Sequence, residues 1–255
     1  MMMMIVFAGC GLKPRPDRLS SDVSIETVID AIQTQSKAVN AFSGIAKVRI
    51  REGDAERNAT AVVAYKRPEQ YKITLLGFAG AEIAEIGSQG DSITIYIPYY
   101  NGYVRIPAEG NSLGILAPEL ADIDPRKMVS VIEGASLPYE KIEDYSITLK
   151  RWERNAELIL EREGIRRCYI VEGPRLLVVE ESESYNRNET RHIVRSEYKM
   201  VNDTLFPHRI LIRDSRRSLQ IHFSGVSINS QLREEELAIQ IPDDAGRLLV
   251  RNPRP

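Results

Sequence analysis

AFSGIAKVRIREGDAERNATAVVAYKR, residues 41–67, alternates apolar and polar side chains, turns within a few residues, and alternates again. A period of two belongs to the extended chain, whose successive side chains point to opposite faces. Phe42, Gly44, Ala46, Val48 and Ile50 fall on one side of the first run, with Ser43, Lys47, Arg49 and Arg51 mostly on the other. Ala59, Ala61, Val63 and Tyr65 share a side of the second run. The EGDAE between them is too short for a parallel crossover, so the two runs are antiparallel neighbours.

Outward from this hairpin the same reading repeats. QYKITLLG (70–77) sets Tyr71, Ile73 and Leu75 against Lys72 and Thr74, and GAEIAEIGSQGDSITIYIP (80–98) and NGYVRIP (101–107) follow between Gly, Pro, Asn and Asp. After a break, YSITLKRW, AELILERE, RRCYIVEG, RLLVVEES, RHIVRSEYKM, FPHRILIRD, LQIHFSGVSIN and LAIQIP (the last at 237–242) continue the pattern. Two segments differ. Ile25, Val28, Ile29, Ile32 and Val39 recur at helical spacing behind Asp22 or Ser24 as N-cap. A second helix is predicted from cap Asp124 and Pro125 through Met128, Val129 and Ile132 to Gly134. The fold expected is mainly antiparallel β with a few helices: an open half-barrel of roughly ten or more strands. Its apolar concave face is covered by the N-terminal and central helices.

Composition limits the function. The chain has 255 residues, 43% hydrophobic and 27% charged, with net charge −2. That charge supplies no bulk attraction for nucleic acid. No apolar run reaches the length of a membrane span. His192, His208 and His222 have no metal-ligand spacing, and no cofactor motif is present. GNSLG (110–114) matches G-x-S-x-G, but that motif works on a strand-to-helix turn of a parallel sheet, which this pattern does not build. Ser112 therefore reads as a loop residue, and the chain as no enzyme. EESESYNRNE (180–189) and LREEEL (232–237) read as solvated turns.

At the N-terminus, MMMMIVFAGC places Cys10 after an apolar run and two very small residues. This resembles the lipobox of bacterial lipoproteins, with Ala8, Gly9 and Cys10 in place and Phe7 where Leu is usual. The resemblance implies an acylated Cys10 and, from Gly11, sorting to the outer membrane. Residues 1–9 would be a signal peptide, apparently truncated since it lacks Lys and Arg, and 10–22 a tether reaching roughly 40 Å when extended. Residues 23–246 would form the domain and 247–255 a tail. With Cys10 acylated, Cys168 has no partner for a disulfide.

The whole arrangement resembles the LolA/LolB lipoprotein-sorting family of Gram-negative envelopes. NAFSGIAKVRI after a helix, the hairpin YKITLLGFAGAEIAEI, SVIEG closing the central helix, and the C-terminal FPHRILIRD, LQIHFSGVSIN and LAIQIPDDAG carry it. Trp- and Pro-rich stretches of the receptor are missing, the only Trp being Trp152, so a related lipoprotein fits as well. The resemblance implies a periplasm-facing binding module. Acyl chains or lipoproteins would be the ligand and a periplasmic carrier a partner. Its trough would be lined by Val48, Ile50, Val63, Tyr65, Ile73, Leu75, Ile93, Ile95, Val104, Ile210, Ile221 and Phe223, with Ile239 beside them and small Gly44, Ala46, Ala59 and Ala61 leaving room. The protruding apolar loop would present Leu76 and Phe78. The other class of reading is a structural lipoprotein whose interior is filled.

Overall fold

A computed structural model describes residues 19, 22–89, 91–108, 131–135, 137–138, 142–186 and 188–248. Cys10, Ser112 and the central-helix positions Asp124, Pro125, Met128 and Val129 lie outside the described residues, as does the side chain of Phe78.

Among the described residues, the chain starts with α1 (Ile25–Lys37) and continues through β1 (Ala41–Glu52), β2 (Ala55–Lys66), β3 (Gln70–Leu76), β4 (Glu82–Gln89), β5 (Ser92–Ile97) and β6 (Gly102–Pro107). Residues 131–133 are helical. There follow β7 (Ser146–Arg151), β8 (Asn155–Arg162), β9 (Ile165–Glu172), β10 (Leu177–Tyr185), β11 (Asn188–Val201), β12 (Thr204–Arg213) and β13 (Arg217–Ile228). A short helix α2 (Glu234–Leu237) and β14 (Gly246–Arg247) complete the order.

All fourteen strands form one sheet, in the order β14-β6-β5-β4-β3-β2-β1-β13-β12-β11-β10-β9-β8-β7. The two ends do not pair, so the barrel is open, as the sequence pattern implies. Successive strands pair antiparallel within β1–β6 and within β7–β13, while β1 pairs with β13 from the far end of the chain. One pairing is parallel, between β14 and β6.

Ser24 caps α1, its hydroxyl accepting from Thr27 N at 3.2 Å. This settles the choice against Asp22. Val28 and Ile32 on its apolar face are fully buried against Leu158, Leu160, Tyr169, Val171 and Val178 on the inner face of β8–β10. Burying each such side chain contributes about 1.5–3 kcal/mol. The Gln35 amide donates to Leu176 O at 2.9 Å and accepts from Val178 N at 3.2 Å, fixing the helix to the start of β10.

LAIQIP is not a strand. Leu237 ends α2, and residues 238–242 cross the outer face of the sheet, where Ile239 sits over Gly87. Alternation alone could not separate a strand from a chain laid across a sheet, since both hide every second side chain. LREEEL is likewise no turn: it carries α2, with the Glu236 carboxylate accepting from Arg233 N at 2.9 Å.

Candidate functional site

Residues paired across a ladder point to the same face, so the register decides which side chains meet. Val48 pairs with Ile221, Ala46 with Phe223, and Ile210 with Ile221. In the other direction Val63 pairs with Ile73, Ile73 with Ile86, Ile86 with Ile95, and Ile95 with Val104. Every residue of the expected trough therefore lies on the concave face, Ile50 at its far end opposite Leu219. They do not form one group. Val63, Tyr65, Ile73, Ile210, Ile221 and Phe223, with Val48 and Leu75 packed on, make the central cluster. Ile93, Ile95 and Val104 belong to a separate one with Ile106 and Ala108.

Ile239 is not among them. It packs with Leu237 and Ile241 over Gly87, Thr94 and Arg105, which face outward, around a cleft of only about 30 Å³.

The centre of the trough is filled. Phe42, Phe206 and Phe223 form a triangle with ring centroids 5.2, 5.3 and 5.5 Å apart. Gly44 leaves no room for a ligand, because the Phe42 ring tips over it. A Cβ there would meet Phe42 Cζ at 2.7 Å and Gly225 O at 2.8 Å. Val131 and Ile132 close the same cluster from above.

Polar contacts hold that closure. The Tyr65 hydroxyl donates to the Glu133 carboxylate, and Arg67 Nε lies 3.4 Å from Glu133 Oε1. Arg67 also donates to Val39 O at 3.1 Å and to Ser36 O, so one guanidinium ties β2 to the end of α1 and to residue 133. Burial, and then the Glu133 carboxylate beside it, raise the Tyr65 phenol above its ordinary range.

Between the central cluster and the one under α1 runs a charged seam absent from the sequence reading. Glu181 on β10 pairs in register with Tyr169 on one side and Ile193 on the other. It is 7% exposed, inside the stretch read as a solvated turn. Arg195 Nη2 and Arg191 Nη2 donate to its two oxygens at 2.9 and 3.0 Å, and Arg167 Nε donates to Glu183 at 2.9 Å. Arg195 is 2% exposed, and its Nε and Nη1 are buried without a hydrogen-bond partner among the described residues. The Tyr198 hydroxyl donates elsewhere, to Val178 O at 2.6 Å.

Leu76 lies on the outer face, opposite Thr60 and Glu82, and is half-buried. Gly77 N donates to Ala81 O at 2.8 Å and closes the tip, next to Ile83, which is 49% exposed. This tip shares an end of the sheet with exposed Tyr99, Tyr100 and Tyr185. The opposite end carries Trp152, and there Leu19 N donates to Glu153 O at 3.1 Å.

The histidines stay apart. His192 faces Glu180, His222 faces Glu197, and His208 is buried with Nδ1 3.2 Å from Phe206 O. Among the described residues no group of His, Cys, Asp and Glu is placed to hold a metal, and no helix is long and apolar enough to cross a membrane.

No protein-family model and no curated relative matches the sequence. Solved structures do match in fold. A LolA superfamily protein from Nitrosomonas europaea aligns over 85% of this chain and 98% of its own, at 12% identity and TM-score 0.54. A putative outer membrane lipoprotein-sorting protein domain from Vibrio parahaemolyticus aligns over 82% and 94%, at 10% identity and TM-score 0.56. A DUF1329 family protein from Desulfovibrio piger aligns over 84% and 97%, at 11% identity and TM-score 0.58. The chain has the open-barrel fold of LolA-like proteins.

Proposed function

We propose that the protein is a lipid-anchored, periplasm-facing binding module that takes acyl chains, free or borne by lipoproteins, into its trough. It would serve lipid or lipoprotein sorting at the outer membrane. One observation carries the reading: apolar, largely aliphatic clusters line the concave face of an open sheet and are closed by helical segments held through polar contacts. Aliphatic walls suit a flexible chain, and polar latches release without breaking the sheet. The LolA-like fold supports it, as does the small-small-Cys sequence ending at Cys10.

The energies agree with a closed resting state that a ligand opens. Exposing Val131 and Ile132 costs about 3–6 kcal/mol together, while burying a dozen methylenes contributes roughly 10 kcal/mol. No cofactor and no catalytic step is needed. Transfer follows from the difference in burial between two troughs.

The placement of the two ends supports one orientation. An anchor at Cys10 draws the end bearing Leu19 and Trp152 toward the bilayer. The tip at Leu76, at the opposite end of strands about 40 Å long, then faces away from it, toward a carrier or an incoming lipoprotein.

The filled centre favours a second reading, in which the body is a structural lipoprotein that docks another envelope component. Native mass spectrometry of the protein purified from membranes separates the two. Co-purified lipid, or uptake of added palmitate, supports the binding module. Neither, with the protein folded, leaves the structural role.

A further inference from the structure

The charged seam is the feature of the trough that plain packing does not explain. Three guanidiniums, of Arg167, Arg191 and Arg195, face two carboxylates, of Glu181 and Glu183. The pairing is unequal. Glu181 spends both oxygens on Nη2 groups of Arg191 and Arg195, at 3.0 and 2.9 Å. Glu183 is occupied by Arg167. Of the five N–H donors of a guanidinium, those on Nε and Nη1 of Arg195 have no partner among the described residues, although the side chain is 2% exposed. A buried cation with unmet donors is costly, and folded chains seldom keep one without use for it. Its surroundings define what fits. Ile210 lies directly across the ladder and Ile193 two residues back on the same face, so apolar walls of the central cluster reach up to the guanidinium.

We propose that Arg195 receives the anionic head, a carboxylate or phosphate, of the amphiphile whose chain lies in the central trough. This rests on the binding-module reading and deepens it: the ligand is an acidic amphiphile, held by its head at the seam. Guanidinium suits such a group, since its planar donors match carboxylate and phosphate oxygens and it loses little hydration on burial. Among the described residues the ion pairs of the seam leave an excess positive charge of one, which a single head neutralises.

The test titrates the full chain with palmitate and hexadecanol, which share a chain and differ in the charged head, and with inorganic phosphate as an anion without a chain. Palmitate is expected to bind at least tenfold more tightly than hexadecanol. In Arg195→Met that ratio falls to about one. Arg195→Lys keeps a charge facing Glu181 and guards against loss of the fold; its ratio falls severalfold, because a single ammonium is drawn to Glu181. Equal binding of the two amphiphiles to the unaltered chain overturns the proposal while leaving the binding module standing. A ratio unchanged in both variants also overturns it. Binding of neither amphiphile removes both. Arg195-dependent binding of inorganic phosphate, with no gain from a chain, sustains the anion site but refutes a lipid source for the anion.

Discussion

Phe223→Ala tests whether the middle of the trough is packed or hollow. The ring is 2% exposed and touches those of Phe42 and Phe206, with centroids 5.3 and 5.5 Å away. Truncation loses the transfer energy of the ring, two aromatic contacts, and whatever cavity the neighbours fail to refill. Such losses come to about 3–5 kcal/mol. Collapse is limited here, because Ala46 opposite Phe223 on β1 is small and cannot reach in. For a domain of this size each kcal/mol moves the melting temperature by about 2–4 °C, so a fall of roughly 6–20 °C is expected in a calorimetric scan. The cavity left lies among apolar walls, two of them the rings of Phe42 and Phe206. Added palmitate should therefore restore part of the loss in Phe223→Ala, and restore more there than in the unaltered chain. A loss under about 1 kcal/mol would refute the reasoning, since it would mean that the ring packs against little and the centre is already open.

Leu76→Glu, on the half-buried outer face beside Glu82, should cost only about 0.5–1 kcal/mol by thermal melt; lipid handover should fail nonetheless, and a loss of several kcal/mol would place Leu76 in packing instead. Cys10→Ser should release a folded protein from the membrane fraction, and its retention after a high-salt wash would count against lipidation. Burial raises the phenols of Tyr65, Tyr169 and Tyr198, the last to about 12 from an ordinary 10. The folded state then holds protons that the unfolded chain gives up, so these groups stabilise fully below pH 10; the contribution of Tyr198 is lost as pH rises through 12, and those of Tyr65 and Tyr169 at still higher pH. Tyrosinate absorbance should show these phenols ionising together with unfolding, and their separate titration in the folded protein would contradict the burial.

Much of the fold is legible because one local rule governs it. Alternation marks the strands, short turns make neighbours antiparallel, and the count forces a large sheet with one face to hide. Helix α1 is legible for a similar reason, its apolar spacing and Ser24 cap agreeing. The rule fails where burial alternates for another cause. Residues 238–242 hide side chains against the outside of the sheet without joining it. Gly44 shows a different limit: its smallness suggests space, but space depends on a neighbour's rotamer, and the Phe42 ring lies over it.

The lining of the concave face was legible by parity, but only the arginine half of the seam follows the same parity. In RHIVRSEYKM, Ile193 and Arg195 share a face, but in RLLVVEES a bulge between Val178 and Glu180 breaks the alternation and turns Glu181 inward beside Tyr169 and Ile193. Composition obscured this, since a run of charges reads as solvated unless the strand beyond it is known. Only the register shows that β10 and β11 lie side by side, so that Glu181 meets Arg191 and Arg195. That pairing divides the concave face into two apolar lobes, one under α1 and one around the phenylalanine triangle. A hydrocarbon chain gains from burial along either lobe but loses at the seam, where it would cover donors without satisfying them. A chain laid in the central lobe thus ends at Arg195, and whatever group terminates it there must accept hydrogen bonds.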